Sequence, residues 1–219
     1  MQSNTFPWSL AIQERQELLN EDVAKKINLE DYIKNEYEKT LKKVEFLDTD
    51  SKETILHRKL IYLTQNWFMQ TLLDRTERMA TMAGVEVRVP FCDYRIVEYA
   101  WNIPWEMKAY KGREKGLLRK AFESYLPKEV IYRKKSPYPK THNPNYLQKV
   151  KEELTKILDN KNNIINVLLN EKYIREIIET DGKNFSRPWF GQLMTGPQLM
   201  AYFIQIEQWL EVFKVEILV

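Results

Sequence analysis

The 219 residues, 43% hydrophobic and 30% charged, fit one ordinary soluble domain or one large domain with a small lobe, and argue against a disordered chain. A formal net charge of only +3, from 34 basic and 31 acidic residues, gives no basic field for nucleic acid, and no apolar run approaches the roughly 18 residues that cross a bilayer. The single cysteine, Cys92, rules out an internal disulfide and is what a reducing cytoplasm predicts, and residues 1–4 carry no secretory pattern.

The spacing of apolar residues predicts a mainly α chain. Pro7 suits the first turn of a helix through Leu10, Leu18 and Leu19. Asn28 or Asp31 suits the cap of the next, with Ile33, Tyr37, Leu41 and Val44 on its apolar side. After a polar break at 48–50, Ser51 starts a long helix patterned on Ile55, Leu60, Leu63, Trp67 and Leu72. It reaches about Met82, and Gly84 ends it. Residues 85–91 alternate like a strand, but Pro90 disfavours a central strand, so an extended connector is expected. Asp93 then caps a helix over 94–101, and a loop follows over 102–112. A helix over 114–125 turns Leu117, Leu118, Ala121 and Phe122 inward, and Pro127 opens a helical turn through Val130 and Ile131. Pro137, Pro139 and Pro144 exclude regular structure in their stretch. Helices over 145–158 and 164–178, a loop over 181–187 and a final helix over 188–213 complete the chain. Twelve tyrosines, nine phenylalanines and six tryptophans are expected to supply the core.

Two segments concentrate groups able to do chemistry. In the first, Asp74, Arg75, Glu77 and Arg78 crowd a helix end, and Glu86 and Arg88 share one side of the extended connector that follows. An arginine fork suits carboxylate or phosphate, although ion pairs bracing a helix-to-loop junction are the plainer reading. In the second, Arg133, Lys134 and Lys135 precede a proline-stiffened loop, where a held cation meets a polyphosphate or where a basic loop is simply solvated. Lys111, Arg113, Lys115, Arg119 and Lys120 add positive charge, mostly on a face expected to be wet. His57 and His142 lie far apart without metal-ligand neighbours, so no metal site is expected, and Cys92 reads as a small apolar residue rather than a nucleophile.

Three stretches carry a resemblance. DRTERMATMAGVEVRVPFCD, residues 74–93, resembles the stretch D-R-x-[DE]-R-M-[SA]-x-x-x-G-x-E-x-R-x-P-F-x-D of the class II, glutamine-dependent asparagine synthetases. GREKGLLRKAF, residues 112–122, is similar to that family's G-K-x-x-L-R-x-A-F helix, and LPKEVIYRKK, residues 126–135, to its L-P-x-x-[IV]-x-x-R-x-K turn. The three occur in the family's order and cover roughly residues 60–140, with less diagnostic flanks.

The resemblance implies an ATP-dependent C–N ligase. A glutaminase domain frees ammonia from glutamine, and a synthetase domain of the ATP-pyrophosphatase type activates the aspartate side chain with ATP and Mg2+. Ammonia then displaces AMP. Lys135 falls on the family lysine that contacts the α-phosphate and pyrophosphate, and Arg75 and Arg78 fall where arginines flank the aspartate and ATP pocket. Glu86, Arg88 and Asp93 match positions that brace the site.

The family's S-G-G-x-D-S loop and its G-E-G-x-D-E segment are not in the sequence, and glycine is scarce, at 6 residues. Residues 1–219 therefore read as the helical C-terminal portion of the synthetase domain, without the glutaminase domain or the phosphate loop, with Met1 a truncated start. Such a portion is expected to be inactive alone, to bind no ATP or Mg2+ by itself, and to self-associate through the face that a missing sheet leaves uncovered. The competing reading is a non-catalytic helical interaction module descended from a synthetase. A narrower one is a related amide- or lactam-forming synthetase.

Overall fold

A computed structural model describes residues 5–9, 11–136, 143–184, 188–189 and 194–218. Leu10, Pro137, Pro139, His142 and the end of the 181–187 loop lie outside the described residues. The described residues form two compact units, Met1–Glu38 with Tyr138–Val219, and Lys39–Pro137. Both are helical, and no strand forms among the described residues. No described helix is long and apolar enough to cross a membrane.

The first unit holds α1 (Ile12–Glu17), α2 (Glu21–Ile27), the start of α3 (Leu29–Leu41), α10 (Pro144–Asp159), α11 (Glu171–Glu179) and α12 (Gly196–Val212). Asn143 starts α10 by accepting the Asn145 N–H at 2.9 Å, and Pro144 sits in the first turn, where its missing donor costs nothing. Pro144 thus begins a helix rather than extending the irregular stretch. Val150, Leu154, Ile157 and Leu158 recur at helical spacing and are buried. They pack with Ile174 and Ile177 of α11 and with Leu199, Met200, Phe203 and Leu210 of α12. Fully burying each such side chain contributes roughly 1.5–3 kcal/mol. Leu18 joins this core from the N-terminal end, where the Asn20 N–H donates to Leu168 O at 2.8 Å and the Asn170 N–H to Leu18 O at 2.9 Å. The buried Glu207 carboxylate accepts the Ile165 N–H at 2.8 Å, so its burial is compensated.

Several expectations need correcting here. The helix expected through Leu18 and Leu19 is two, α1 and α2, broken at residues 18–20; Leu19 bridges to Leu169, and the Asn20 side chain caps α2. Asn28 does cap α3, accepting the Asp31 N–H at 3.4 Å. The helix expected over 164–178 is a 3-10 turn, Ile164–Val167, followed by α11 behind its own cap, Asn170. The last helix starts at Gly196, not at 188. The core is built of leucine and isoleucine: of the aromatic residues only Phe6 and Phe203 are buried among the described residues, whereas Tyr94, Tyr99, Tyr125 and Phe213 are largely exposed.

The second unit holds the end of α3, then α4 (Lys52–Leu63), α5 (Gln70–Met82), α6 (Tyr94–Trp101), α7 (Trp105–Lys108), α8 (Gly116–Ala121) and α9 (Lys128–Ile131). Ser51 caps α4, accepting the Thr54 N–H at 3.1 Å. The helix then runs on to Met82, as its apolar spacing predicts, but through a wider π segment, Thr64–Met69. The local side chains explain how such a segment is tolerated. Thr64 Oγ1 donates to Leu60 O at 2.7 Å, Asn66 Nδ2 to Tyr62 O at 2.9 Å and Thr71 Oγ1 to Trp67 O at 3.0 Å. Carbonyls that a widened turn leaves poorly partnered are thereby satisfied. Trp67 Nε1 anchors the segment on the buried Thr40 hydroxyl at 3.0 Å.

Gly84 ends α5 with φ +68°. Its N–H donates to Thr81 O at 3.0 Å and that of Val85 to Ala80 O at 2.9 Å, the paired bonds of a Schellman cap. Residues 85–89 are irregular, as Pro90 demands, and a 3-10 turn, Pro90–Cys92, leads to α6. Asp93 caps α6 by accepting the Arg95 N–H at 2.9 Å. The stretch 102–112 is not a plain loop, since it carries α7 and a 3-10 turn, Tyr110–Gly112. The helix expected over 114–125 is confined to α8, and Ala121 and Phe122 face solvent instead of the interior.

Candidate functional site

The candidate residues all lie in the second unit. Arg75 and Arg78 project from α5 and are exposed. Arg78 Nε pairs with Asp74 Oδ1 at 2.9 Å, one turn back, whereas Arg75 has no hydrogen-bond or ionic partner among the described residues. Glu86 and Arg88 do share a side of the connector and pair at 2.6 Å, both exposed. Asp93 is half-buried, and the Arg95 guanidinium, donating at 2.9 and 2.7 Å, holds its carboxyl below the usual carboxylate range. Lys135 stands exposed on the irregular segment after α9, without a partner among the described residues. Apart from the Glu86–Arg88 pair, no hydrogen bond or ion pair among the described residues joins these six to one another. The ion pairs are short-range and solvated, a type that contributes little stability.

The same stretch is apolar as well as charged. Met79, Met82, Val85, Val87, Val89 and Phe91 are all exposed, Met82 to 94%. Beside it, Phe91, Leu118, Phe122, Leu126 and Val130 line an open apolar groove of about 470 Å³. So many large apolar side chains exposed within one stretch are what a surface that binds something presents.

Two further cavities belong to this unit. In one, Asp50, His57, Arg58, Trp101, Trp105 and Lys108 enclose about 250 Å³. Arg58 Nε pairs with Asp50 Oδ2 at 2.8 Å, and the His57 ring stacks on Trp105 with centroids 3.9 Å apart. Burial lowers the pKa of Lys108, with the charge of Arg58 adding to the effect. No described group of His, Cys, Asp and Glu is arranged to hold a metal ion, there or elsewhere. Cys92 is half-buried, its thiol 3.6 Å from the Met69 sulfur.

The other cavity, also about 250 Å³, is basic, and the sequence does not show it. Lys111, Arg113, Arg119 and Lys120 line it together with Glu123 and Tyr132. Charges expected on a wet helix face are thus gathered around a concavity.

Residues 1–211 match the family model described as asparagine synthase. The chain belongs to the asparagine synthase family. Asparagine synthetase [glutamine-hydrolyzing] 3 of Bacillus subtilis (strain 168) is 49% identical over 212 residues, 97% of this chain and 34% of that protein. Asparagine synthetase [glutamine-hydrolyzing] 1 of the same organism is 33% identical over 120 residues, 54% of this chain and 19% of that protein. The human asparagine synthetase [glutamine-hydrolyzing] is 42% identical over 67 residues, 29% of this chain and 12% of that protein. The chain spans about a third of the length of that first Bacillus subtilis relative. It is thus a mainly α part of an asparagine synthase domain.

Proposed function

We propose that this chain forms the helical C-terminal portion of the synthetase domain of a glutamine-dependent asparagine synthetase, and supplies one wall of its ATP site. In this reading the aspartate side-chain carboxylate attacks the α-phosphorus of ATP, and pyrophosphate leaves with the electron pair of the broken bond. Ammonia derived from glutamine then attacks the acyl carbon, and AMP leaves. The observation that carries the reading is residues 74–93: the stretch with the family pattern exposes its fixed charges and its apolar side chains together, in a unit with almost no core of its own. Such a surface fits a wall that the rest of a domain covers, and the same uncovered face favours self-association of the chain alone.

Charge availability separates the roles. Arg75 and Lys135 have no carboxylate partner among the described residues, so their cations are free to meet phosphate or carboxylate. Lys135 stabilises negative charge building on the α-phosphate and the leaving pyrophosphate, an electrostatic role without proton transfer. Arg75 and Arg78 flank the aspartate and ATP pocket. Glu86 and Arg88, already paired, and Asp93, the cap of α6, brace the wall. The described residues do not fit a magnesium site, so the ion and the phosphate loop have their ligands outside them in this reading. The synthetase is cytoplasmic in this reading, as its lone cysteine suits.

Substituting Lys135→Ala in the complete synthetase tests the assignment. Asparagine formation should fall by about 10²–10³-fold in kcat while glutamine hydrolysis persists. Undiminished synthesis would remove Lys135 from the site. Calorimetric titration of the present chain with MgATP should show millimolar binding at best, and tight binding would overturn the reading of an incomplete wall.

A further inference from the structure

Lys135 is carried on a segment with no regular structure of its own. Residues 133–136 make no backbone hydrogen bond among the described residues, and the contact of Arg133 Nη2 with Ser136 Oγ at 3.5 Å stays inside the segment. The last backbone bond before it runs from the Tyr132 N–H to Lys128 O at 2.9 Å and closes α9. The direction in which the segment leaves is therefore set at Ile131 and Tyr132. Lys135 follows Tyr132 by three residues, a reach of at most about 10 Å, so a rotation at that point swings its ammonium directly.

Both of these residues are gripped from α8. The mostly buried Arg119 donates from Nε to Glu114 O at 2.9 Å and from Nη1 to the carbonyl of the buried Ile131. One planar fork thus ties the entry of α8 to the end of α9. Tyr132 is held separately: its hydroxyl donates to Glu123 Oε1 at 2.6 Å, and the Arg113 guanidinium lies over its ring at 4.9 Å. Lys120 and Tyr132 hold the Glu123 carboxyl below the usual range, so it stays an acceptor. The helix itself is seated by Gly116, its first residue, which lies against the backbone of Tyr110 with no room for a Cβ. A solvated ion pair would contribute little stability, whereas a fork on two backbone carbonyls fixes two points of the chain.

We propose that Arg119 is a positioning residue for Lys135: by holding the Ile131 carbonyl it aims the segment that brings the lysine to its anion. Arg119 acts only through Lys135 and has no contact of its own with the reacting atoms. A cation that stabilises developing charge must be in place before the charge appears, and a segment without backbone bonds cannot supply that order itself. The inference rests on the role given to Lys135 above.

Nitrogen-15 relaxation of this chain reads the aim directly. Arg119→Ala should lower the backbone order parameters of residues 132–136 below about 0.6 while those of α10 and α12 hold. In the complete synthetase the same substitution should lower kcat for asparagine formation about 10–100-fold and leave KM for ATP within about threefold. In a Lys135→Ala background it should cost less than about threefold more, because the lysine that it aims is gone. Arg119→Lys keeps the cation but not the fork; it should show the same pattern more weakly, and it carries the test where Arg119→Ala does not fold. Unchanged order at 132–136, a raised KM with kcat intact, or losses from the two substitutions that multiply would each overturn the proposal. A loosened segment, with synthesis untouched by Lys135→Ala, would sink the role of Lys135 and leave the grip of Arg119 on the segment standing.

Discussion

The two units of the chain use the same helical vocabulary to different ends. Residues 1–38 with 138–219 bury Leu154, Leu158, Ile174, Ile177 and Met200 almost completely. Residues 39–137 bury only Val44, Leu63 and Ile131 among their described hydrophobics, and expose Met79, Met82, Val87 and Phe91. Yet this thinly cored unit carries every stretch with the family pattern. A surface meant to be completed by other protein is apolar where it will be covered and charged where it will meet ligand, and neither property stabilises the unit in isolation. Local devices hold it together instead: the Ser51 and Asp93 caps, the Gly84 terminus and the Asp50–Arg58 pair.

The largest test of this contrast is in the packed unit. Leu154→Ala should destabilise the chain by about 2–5 kcal/mol in urea unfolding, since the side chain is fully enclosed. A loss under 1 kcal/mol would mean that the core is looser than its burial implies. Smaller is Gly84→Ala, expected to cost about 1 kcal/mol: nothing lies within 4 Å of an added Cβ, so the positive φ alone is responsible. Amide exchange at the end of α5 reports it locally.

Acid titration probes the other unit through Asp50. The Leu47 N–H, and then the Arg58 guanidinium, hold its carboxyl below the usual range. A carboxyl with a lowered folded-state pKa contributes stability that is fully present above its unfolded value of about 3.9 and is lost as pH falls through the folded value. Asp50→Asn should therefore lower the urea midpoint at pH 7 and converge on the parent chain as the pH drops below about 4. Parallel curves across that range would assign the effect to something other than ionisation. The smallest change belongs to Met82→Ala, which should leave the stability of this chain within about 0.5 kcal/mol, because the side chain is 94% exposed. The same substitution in the complete synthetase should weaken the domain measurably, and no effect there would mean that nothing covers the stretch.

What the sequence disclosed was mostly local chemistry. Ser51, Asp93 and Gly84 announce helix ends because each acts on backbone groups two to five residues away. The boundary at Met82 and the irregular connector before Pro90 follow from the same short-range rules. Exposure is a different matter. Phe122 and Ala121 fall at inward helical spacing, but spacing cannot say whether a partner surface exists to receive them. The break between α1 and α2 is decided by residues 168–170, nearly 150 positions away in sequence. The basic cavity escaped for the same reason, since Lys111 and Arg113 meet Tyr132 and Glu123 only once α8 and α9 have closed on each other. For the candidate residues the sequence supplied names and a plausible chemistry. The structure added which cations are already spent, Arg78 and Arg88, and which are not, Arg75 and Lys135.

The π segment Thr64–Met69 sets the rotational phase of everything after it on the long helix. Each residue of an α-helix advances the azimuth by about 100°. Restoring ordinary winding over 64–69 with no change of length would turn α5 by about that angle relative to α4, carrying Arg75 and Arg78 off their present azimuth while leaving the helix itself intact. Thr64, Asn66 and Thr71, whose side chains satisfy the carbonyls around the segment, therefore act as an indexing pin: they touch no candidate residue, yet they decide where two of them point.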